Sequence, residues 1–269
     1  MTVRLVATDL DGTILRSDGS VSERTVAALR AAEDYGLMVV VATGRPPRWM
    51  RPVAEALGHT GLAVCSNGAV IYDMHTDRVL EHTAISREVV LAVAAAVREA
   101  MPEVTFAIET RDAGFGREAS YPVADAEDTE LDGVRVGSLD DLVNDDVIKL
   151  LVRHADLDPD GLLAAAREVA GEMAELTHSS RSGLLEISAT GVTKAATLAR
   201  IADRHGIAAA DTVAFGDMPN DLPMLAWAGR GYAMANAHPE VLAAAAHRAP
   251  SNDEDGVAQV VEKLLADLS

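Results

Sequence analysis

The feature that most constrains the chain is Asp9-Leu10-Asp11-Gly12-Thr13, because of what precedes it. Val3-Arg4-Leu5-Val6-Ala7 is short, β-prone and mostly apolar, so it predicts a buried strand. That strand runs straight into two carboxylates and an Asp-Gly turn. Paired like charges at a buried strand end need a cation or a reacting group to hold them. In open α/β sheets, ligands bind outside the carboxyl ends of the strands. An Asp-Gly pair is also ordinary hairpin chemistry, so the five residues need the rest of the chain to give them meaning.

The next segments repeat the pattern. Ser22 caps a predicted helix whose Val26, Leu29 and Ala32 share one face, and Gly36 ends it. The continuous apolar run Leu37-Met38-Val39-Val40-Val41-Ala42 suits a parallel strand buried on both faces. It ends in Thr43-Gly44-Arg45-Pro46-Pro47, where a proline opens a helix. A third strand, Leu62 to Cys65, ends in Ser66-Asn67-Gly68. The β-α-β order predicts an α/β fold with a parallel sheet. Residues 69–73 and 78–80 then flank Met74-His75-Thr76-Asp77 as a hairpin, so the parallel pattern breaks and a crossover is expected near residue 83.

From 84 to 183 the texture changes to an inserted α+β module. A helix over Ser86–Met101, strands at Val104–Glu109 and Val147–Val152, and a helix between Gly161 and Gly171 are expected. Further strand candidates lie near Glu175–Thr177 and Leu184–Ile187, and Arg111 to Asp132 reads as a polar loop. The domain boundaries expected are thus 1–83 with 184–269 for the first domain and 84–183 for the insertion. After it come a helix from Lys194 to His205, a strand Thr212–Phe215, a helix, a strand Gly231–Met234, and helices from His238 and Gly256.

The 269 residues are 49% hydrophobic but only 3% aromatic, so the core is aliphatic. A net charge of −19 argues against nucleic acid and against anionic membrane surfaces. Residues 83–183 hold 21 acidic and 9 basic residues, as a solvated module would. The single cysteine, Cys65, reads as a core residue and rules out an intramolecular disulfide. With no secretory signal or apolar run of membrane-spanning length, the expectation is a cytoplasmic protein, monomer or homodimer.

Two more features carry chemistry. Asp217 likewise ends an apolar strand, Thr212–Phe215, in Gly216-Asp217-Met218-Pro219-Asn220-Asp221. Asp221 alone is explained by the dipole of the following helix; Asp217, placed before the helix, is not. Asp9, Asp11 and Asp217 together would form an oxygen-only nest suited to Mg²⁺. Lys194 sits at a helix start, against the dipole, a position that a bound phosphate would favour. Thr43-Gly44 offers a hydroxyl and backbone N–H groups for phosphoryl oxygens.

In this order, Asp9-Leu10-Asp11-Gly12-Thr13, Thr43-Gly44-Arg45-Pro46, Lys194 and Gly216-Asp217-Met218-Pro219-Asn220-Asp221 resemble the haloacid dehalogenase (HAD) superfamily of phosphotransferases. Ser66-Asn67-Gly68-Ala69 and the long insertion resemble its Cof-type branch, class IIB, with a C2B cap. The resemblance implies a Rossmann-like core with an α+β cap that selects the leaving group. It implies Asp9 as nucleophile and Asp11 as general acid/base, whose backbone carbonyl also binds metal. Thr43, Gly44, Lys194 and Asn220 would hold the phosphoryl group. Asp9, Asp11 and Asp217 would hold Mg²⁺, with Asp221 reaching it through water or from behind. The substrate implied is a small phosphorylated metabolite: a sugar phosphate, nucleotide or cofactor phosphate. A phosphomutase and a non-catalytic phosphate-binding protein are the alternatives. The compact Gly216–Asp221 motif counts against the first, and the presence of Asp9, Asp11, Lys194 and Asp217 against the second. A dinucleotide-binding module is disfavoured because Asp-Gly-Thr replaces the glycine-rich loop.

Overall fold

The computed structural model describes residues 3–58, 61–112, 114–122, 133–144, 146–179 and 183–268. It divides into two compact units, Met1–Leu80 with Thr193–Ser269, and Glu81–Val192.

The larger unit begins with β1 (Leu5–Thr8), α1 (Glu23–Asp34), β2 (Met38–Ala42), α2 (Met50–Leu57), β3 (Leu62–Cys65), β4 (Val70–Asp73) and β5 (Arg78–His82), whose last two residues lie past the unit boundary. Ser22 caps α1 by accepting from the Thr25 backbone N–H, as its sequence position predicts. β1 is buried at every residue and β2 at all but Met38, which is what Val- and Leu-rich parallel strands covered on both faces require.

The smaller unit carries α3 (Arg87–Ala100), β6 (Thr105–Thr110), β7 (Phe115–Arg117), β8 (Arg135–Val136), a one-turn helix α4 (Leu139–Leu142), β9 (Val147–Arg153), α5 (Pro159–Ala170), β10 (Glu175–Thr177) and β11 (Leu184–Ser188). Its sheet runs β10-β11-β9-β6-β7-β8. Val90, Val93 and Val97 of α3 and Leu162, Leu163 and Ala166 of α5 share one core with Phe106, Ile108, Leu150, Val152, Leu185 and Ile187 of the sheet. Alternate residues therefore point the other way, and among them Lys149, 1% exposed, pairs with Glu186 at 2.5 Å.

This places the boundary differently from the sequence expectation. Leu184–Ser188 pairs antiparallel with β9 and β10, so it belongs to the smaller unit and the chain leaves that unit at Val192 instead of 183. The polar stretch from Arg111 also contains a strand, β7, paired with β6; residues 113 and 123–132 of it lie outside the described residues. Within it, Glu118 pairs with Arg98 at 2.6 Å and accepts from the Phe106 backbone N–H at 2.9 Å.

The chain then completes the larger unit with α6 (Lys194–Arg204), β12 (Thr212–Gly216), α7 (Leu222–Trp227), β13 (Arg230–Met234), α8 (Pro239–Ala244), β14 (His247–Ala249) and α9 (Gly256–Leu268). The strand β14 was not expected from the sequence; it is three residues long and two of them are exposed. The sheet order is β14-β13-β12-β1-β2-β3-β4-β5, parallel from β14 to β3, with β4 antiparallel to β3; the parallel pattern breaks there, and the two strands of the expected hairpin, β4 and β5, are neighbours. Parallel neighbours end on the same side. The carboxyl ends of β12, β1, β2 and β3 are therefore contiguous, and they carry Asp217, Asp9, Thr43 and Ser66. No helix among the described residues is long and apolar enough to cross a membrane.

Phe106 is fully buried in the smaller unit's core, with Arg98 stacked over its ring at 4.6 Å. Phe106→Ala is expected to destabilise that unit by about 3–5 kcal/mol. Urea unfolding checks this, and a change below about 1 kcal/mol would contradict the packing described.

Candidate active site

Asp9 follows β1 directly, and its backbone N–H donates to Phe215 O of β12 at 2.9 Å. The ladder thus fixes the Asp9 backbone before its side chain makes any contact. The carboxylate is 5% exposed, and Oδ1 accepts from Lys194 Nζ at 2.5 Å. The same ammonium donates to Asp221 Oδ1 at 2.7 Å. Lys194, 1% exposed, is the first residue of α6, whose N-cap Thr193 accepts from the Ala196 backbone N–H. The first side chain of this helix thus enters the acid cluster.

Asp221 is more central than its place before a helix suggested. It is wholly buried, and Oδ2 accepts from the backbone N–H groups of Asp217 and Met218, both at 3.0 Å. Asp221 therefore braces the turn that carries Asp217 while its other oxygen grips Lys194. Asp217 accepts from Thr13 Oγ1 at 3.3 Å. Gly12, at φ +74°, lies so close that a Cβ there would stand 2.4 Å from Asp217 Oδ2. Both the left-handed turn and the close approach require glycine. Asn236 donates to Gly12 O at 2.8 Å and fixes the turn from the other side. Thr13, Gly12 and Asn236 are structural partners that no spacing rule identifies.

Asp9, Asp217 and Asp221 offer carboxylate oxygens within 4.8 Å of one another. Three buried acids share one ammonium, and the electrostatics records the imbalance. Burial, then the charge of Asp221, pushes the Asp9 carboxyl well above its usual range, although Lys194 pulls it down. Asp217 is pushed up to about 7, by burial first and Asp221 second. Lys194 is held charged: burial opposes its charge, but Asp221 and Asp9 outweigh burial. A site that raises its own acids in this way is short of positive charge. An all-oxygen donor set of this size fits a hard divalent cation.

The Asp11 carboxylate stands outside that group. Its side chain is half exposed and forked with Arg45, whose Nε and Nη2 approach at 2.9 and 2.7 Å. Only its backbone carbonyl remains for the metal role the resemblance implies. Arg45 is a residue the sequence motif contained without revealing its partner. Thr43 is buried at the end of β2, and its Oγ1 accepts from the Arg45 backbone N–H at 3.0 Å, which leaves the hydroxyl proton to donate. Gly44, half-buried, follows it in the loop. Asn220 is 7% exposed and donates to Asn67 Oδ1 at 3.0 Å.

The profile of the haloacid dehalogenase-like hydrolases matches residues 6–261. The chain belongs to that family. It is 30% identical over 261 residues to the 5-amino-6-(5-phospho-D-ribitylamino)uracil phosphatase YitU of Bacillus subtilis, covering 96% of each chain. It also resembles the crystal structure of SMU.1108c from Streptococcus mutans, at TM-score 0.85 and 26% identity, over 98% of this chain and all of that one. The HAD subclass IIB sugar phosphatase BT4131 shares the fold, at TM-score 0.82 and 23% identity over 97% and 98% of the two chains. The chain is thus a HAD-type phosphatase, and its α/β core with an α+β insertion matches the fold of that subclass IIB structure.

The raised acids give a prediction with a definite sign. Asp217 holds a proton in the folded protein up to about pH 7, whereas its unfolded value is 3.8. The folded state therefore binds more protons across that window, and this group's contribution to stability falls as pH rises from about 4 to about 7. Melting in chelator should show that fall, and Asp217→Asn should lessen it, the share due to Asp9 remaining. Added Mg²⁺ should stabilise more strongly as pH rises through the same window. A wild-type profile identical to that of Asp217→Asn would contradict the assignment.

Proposed function

We propose that this phosphatase hydrolyses the phosphomonoester of a small phosphorylated metabolite through an aspartyl-phosphate on Asp9, with Mg²⁺ as cofactor. The observation that supports this reading best is the buried Asp9–Lys194–Asp221 arrangement beside Asp217. A carboxylate buried against a lysine could be purely structural. A third acid placed alongside, with no second cation bridging it among the described residues, suits a site completed by metal and phosphate.

Asp9 attacks phosphorus. A bond forms from its carboxylate oxygen to phosphorus, the ester P–O bond breaks, and Asp11 gives a proton to the leaving oxygen. Asp11 then takes a proton from water as that water attacks phosphorus. The acyl-phosphate P–O bond breaks, releasing inorganic phosphate and restoring Asp9. Thr43, the Gly44 loop, Lys194 and Asn220 hold the phosphoryl oxygens. Lys194 uses two N–H groups on Asp9 and Asp221, so one of its three remains to donate to them. Arg45 orients the Asp11 carboxylate by its two-point grip. Mg²⁺, when bound, supplies the charge that lets an anion approach a phosphate dianion. Asp9, Asp217 and the Asp11 backbone carbonyl would hold it directly. Asp221, with both oxygens engaged, would act through water or from behind.

YitU acts on a phosphorylated ribityl compound by its name, and a sugar phosphate, nucleotide or cofactor phosphate is the substrate class we assign here. A cytoplasmic monomer or homodimer fits the lone buried Cys65 and a net charge of −19, which disfavours nucleic acid and anionic membranes.

Phosphate release from a panel of phosphorylated metabolites tests this. Release should require divalent metal, stop in excess chelator, and fall by roughly 10³-fold or more in Asp9→Asn. Full turnover in chelator would overturn the metal role. Absence of release from folded, metal-loaded protein would favour a phosphate-binding protein.

A further inference from the structure

The turn after β3 is not used by the chemistry above, yet it holds two consecutive buried non-glycine residues at positive φ. Ser66 and Asn67 both adopt left-handed conformations, at φ +49° and +57°. Among the described residues the other non-glycine positions with positive φ are Asp77, in an exposed hairpin turn, and Asp255, at a helix start. Ser66 and Asn67 are 0% and 3% exposed. Consecutive left-handed residues in a buried turn persist only where the surroundings fix them, and such positions cluster at functional sites.

The surroundings here are three parts of the active site. Asn67 N–H donates to Thr43 O at 3.0 Å, and Ser66 N–H donates to Arg45 O at 2.9 Å. Gly68 packs on the start of α6 so closely that a Cβ would lie 2.4 Å from Thr193 O, and Gly68 O accepts from Thr197 Oγ1 at 2.8 Å. The Asn67 carboxamide accepts from Asn220 Nδ2 at 3.0 Å. One turn therefore links the Thr43 loop, the Lys194 helix and the Asn220 turn.

Its polar groups are only half used. Among the described residues, Ser66 Oγ, Asn67 Nδ2 and Asn220 Oδ1 are buried without a hydrogen-bond partner. A turn with a purely packing role would be cheaper as glycine, which adopts this backbone without strain. A buried amide pair with unused donor and acceptor capacity is suited to receiving a third partner.

We propose that Asn67 is a positioning residue for phosphoryl binding: the Ser66-Asn67 turn holds the Asn220 carboxamide in the orientation that recognises the phosphoryl group. This rests on the reading that Asn220 lies in the phosphoryl-binding set.

The test uses Asn67→Gly, which keeps the left-handed backbone and removes the carboxamide. Asn220→Ala and the double variant are made beside it. The readouts are melting temperature, steady-state hydrolysis of p-nitrophenyl phosphate with Mg²⁺, and inhibition by inorganic phosphate. Asn67→Gly should melt within about 2 °C of wild type or higher. Its kcat/KM should fall about 10–100-fold, and inhibition by inorganic phosphate should weaken in parallel. Because Asn67 acts through Asn220, the double variant should be no worse than Asn220→Ala. Unchanged hydrolysis and inhibition in a folded Asn67→Gly would overturn the proposal. So would losses that track a lowered melting temperature, or effects that add in the double variant. If wild type itself neither hydrolyses nor binds phosphate, the phosphatase mechanism fails first, and the two failures are told apart by that control.

Discussion

The structure of the active site depends on one ammonium. Lys194 Nζ lies between Asp9 and Asp221 at 2.5 and 2.7 Å, with both carboxylates and the amine almost fully buried. Removing one partner of such a group leaves an uncompensated buried charge, at a cost of about 3–5 kcal/mol. The contact joins residues 9, 194 and 221, which come from the first strand, the start of a helix after a long insertion, and the turn after β12. Whatever else it does, this interaction forces the two halves of the larger unit's sequence into one site.

The pair does not neutralise the site. Asp217 stands beside it, held by Thr13 and by the turn that Asp221 braces, and both Asp9 and Asp217 are pushed towards protonation. A protein with net charge −19 has little background field to relieve this. The shortage of positive charge is what makes the cluster responsive: a divalent cation or a lost proton changes its energy more than it would on a solvated surface. The parallel sheet supplies the rest. Because β12, β1, β2 and β3 end on the same side, short turns suffice to bring two acids, a hydroxyl and an amide pair together.

Much of this was legible in the sequence because each feature violates a local rule. Asp9 and Asp217 end apolar strands, and Lys194 opposes a helix dipole; a local conflict of that kind marks a function. Asp221 was underread for the same reason in reverse, since the helix dipole explains an acid there and conceals that it holds Lys194. The Arg45–Asp11 fork and the Asn67–Asn220 pair join residues 34 and 153 positions apart, so no periodicity could show them. The fold follows a similar division. Long apolar strands and capped helices were evident, whereas β8, α4 and β14, of two to four residues each, carry too little pattern. β11 was recognised as a strand, but which sheet it joined depended on pairing with β9 that its own residues do not encode.

The central claim is that the carboxylate held by Lys194 becomes the phosphoryl acceptor. The most direct measurement is mass spectrometry after borohydride quenching, which reduces an aspartyl-phosphate to homoserine. It is best made on Asp11→Asn, whose impaired release of the intermediate should let it accumulate. The account predicts homoserine at residue 9 only when substrate and Mg²⁺ are both present. Turnover of substrate with residue 9 unmodified throughout, or with the label on another residue, would contradict it.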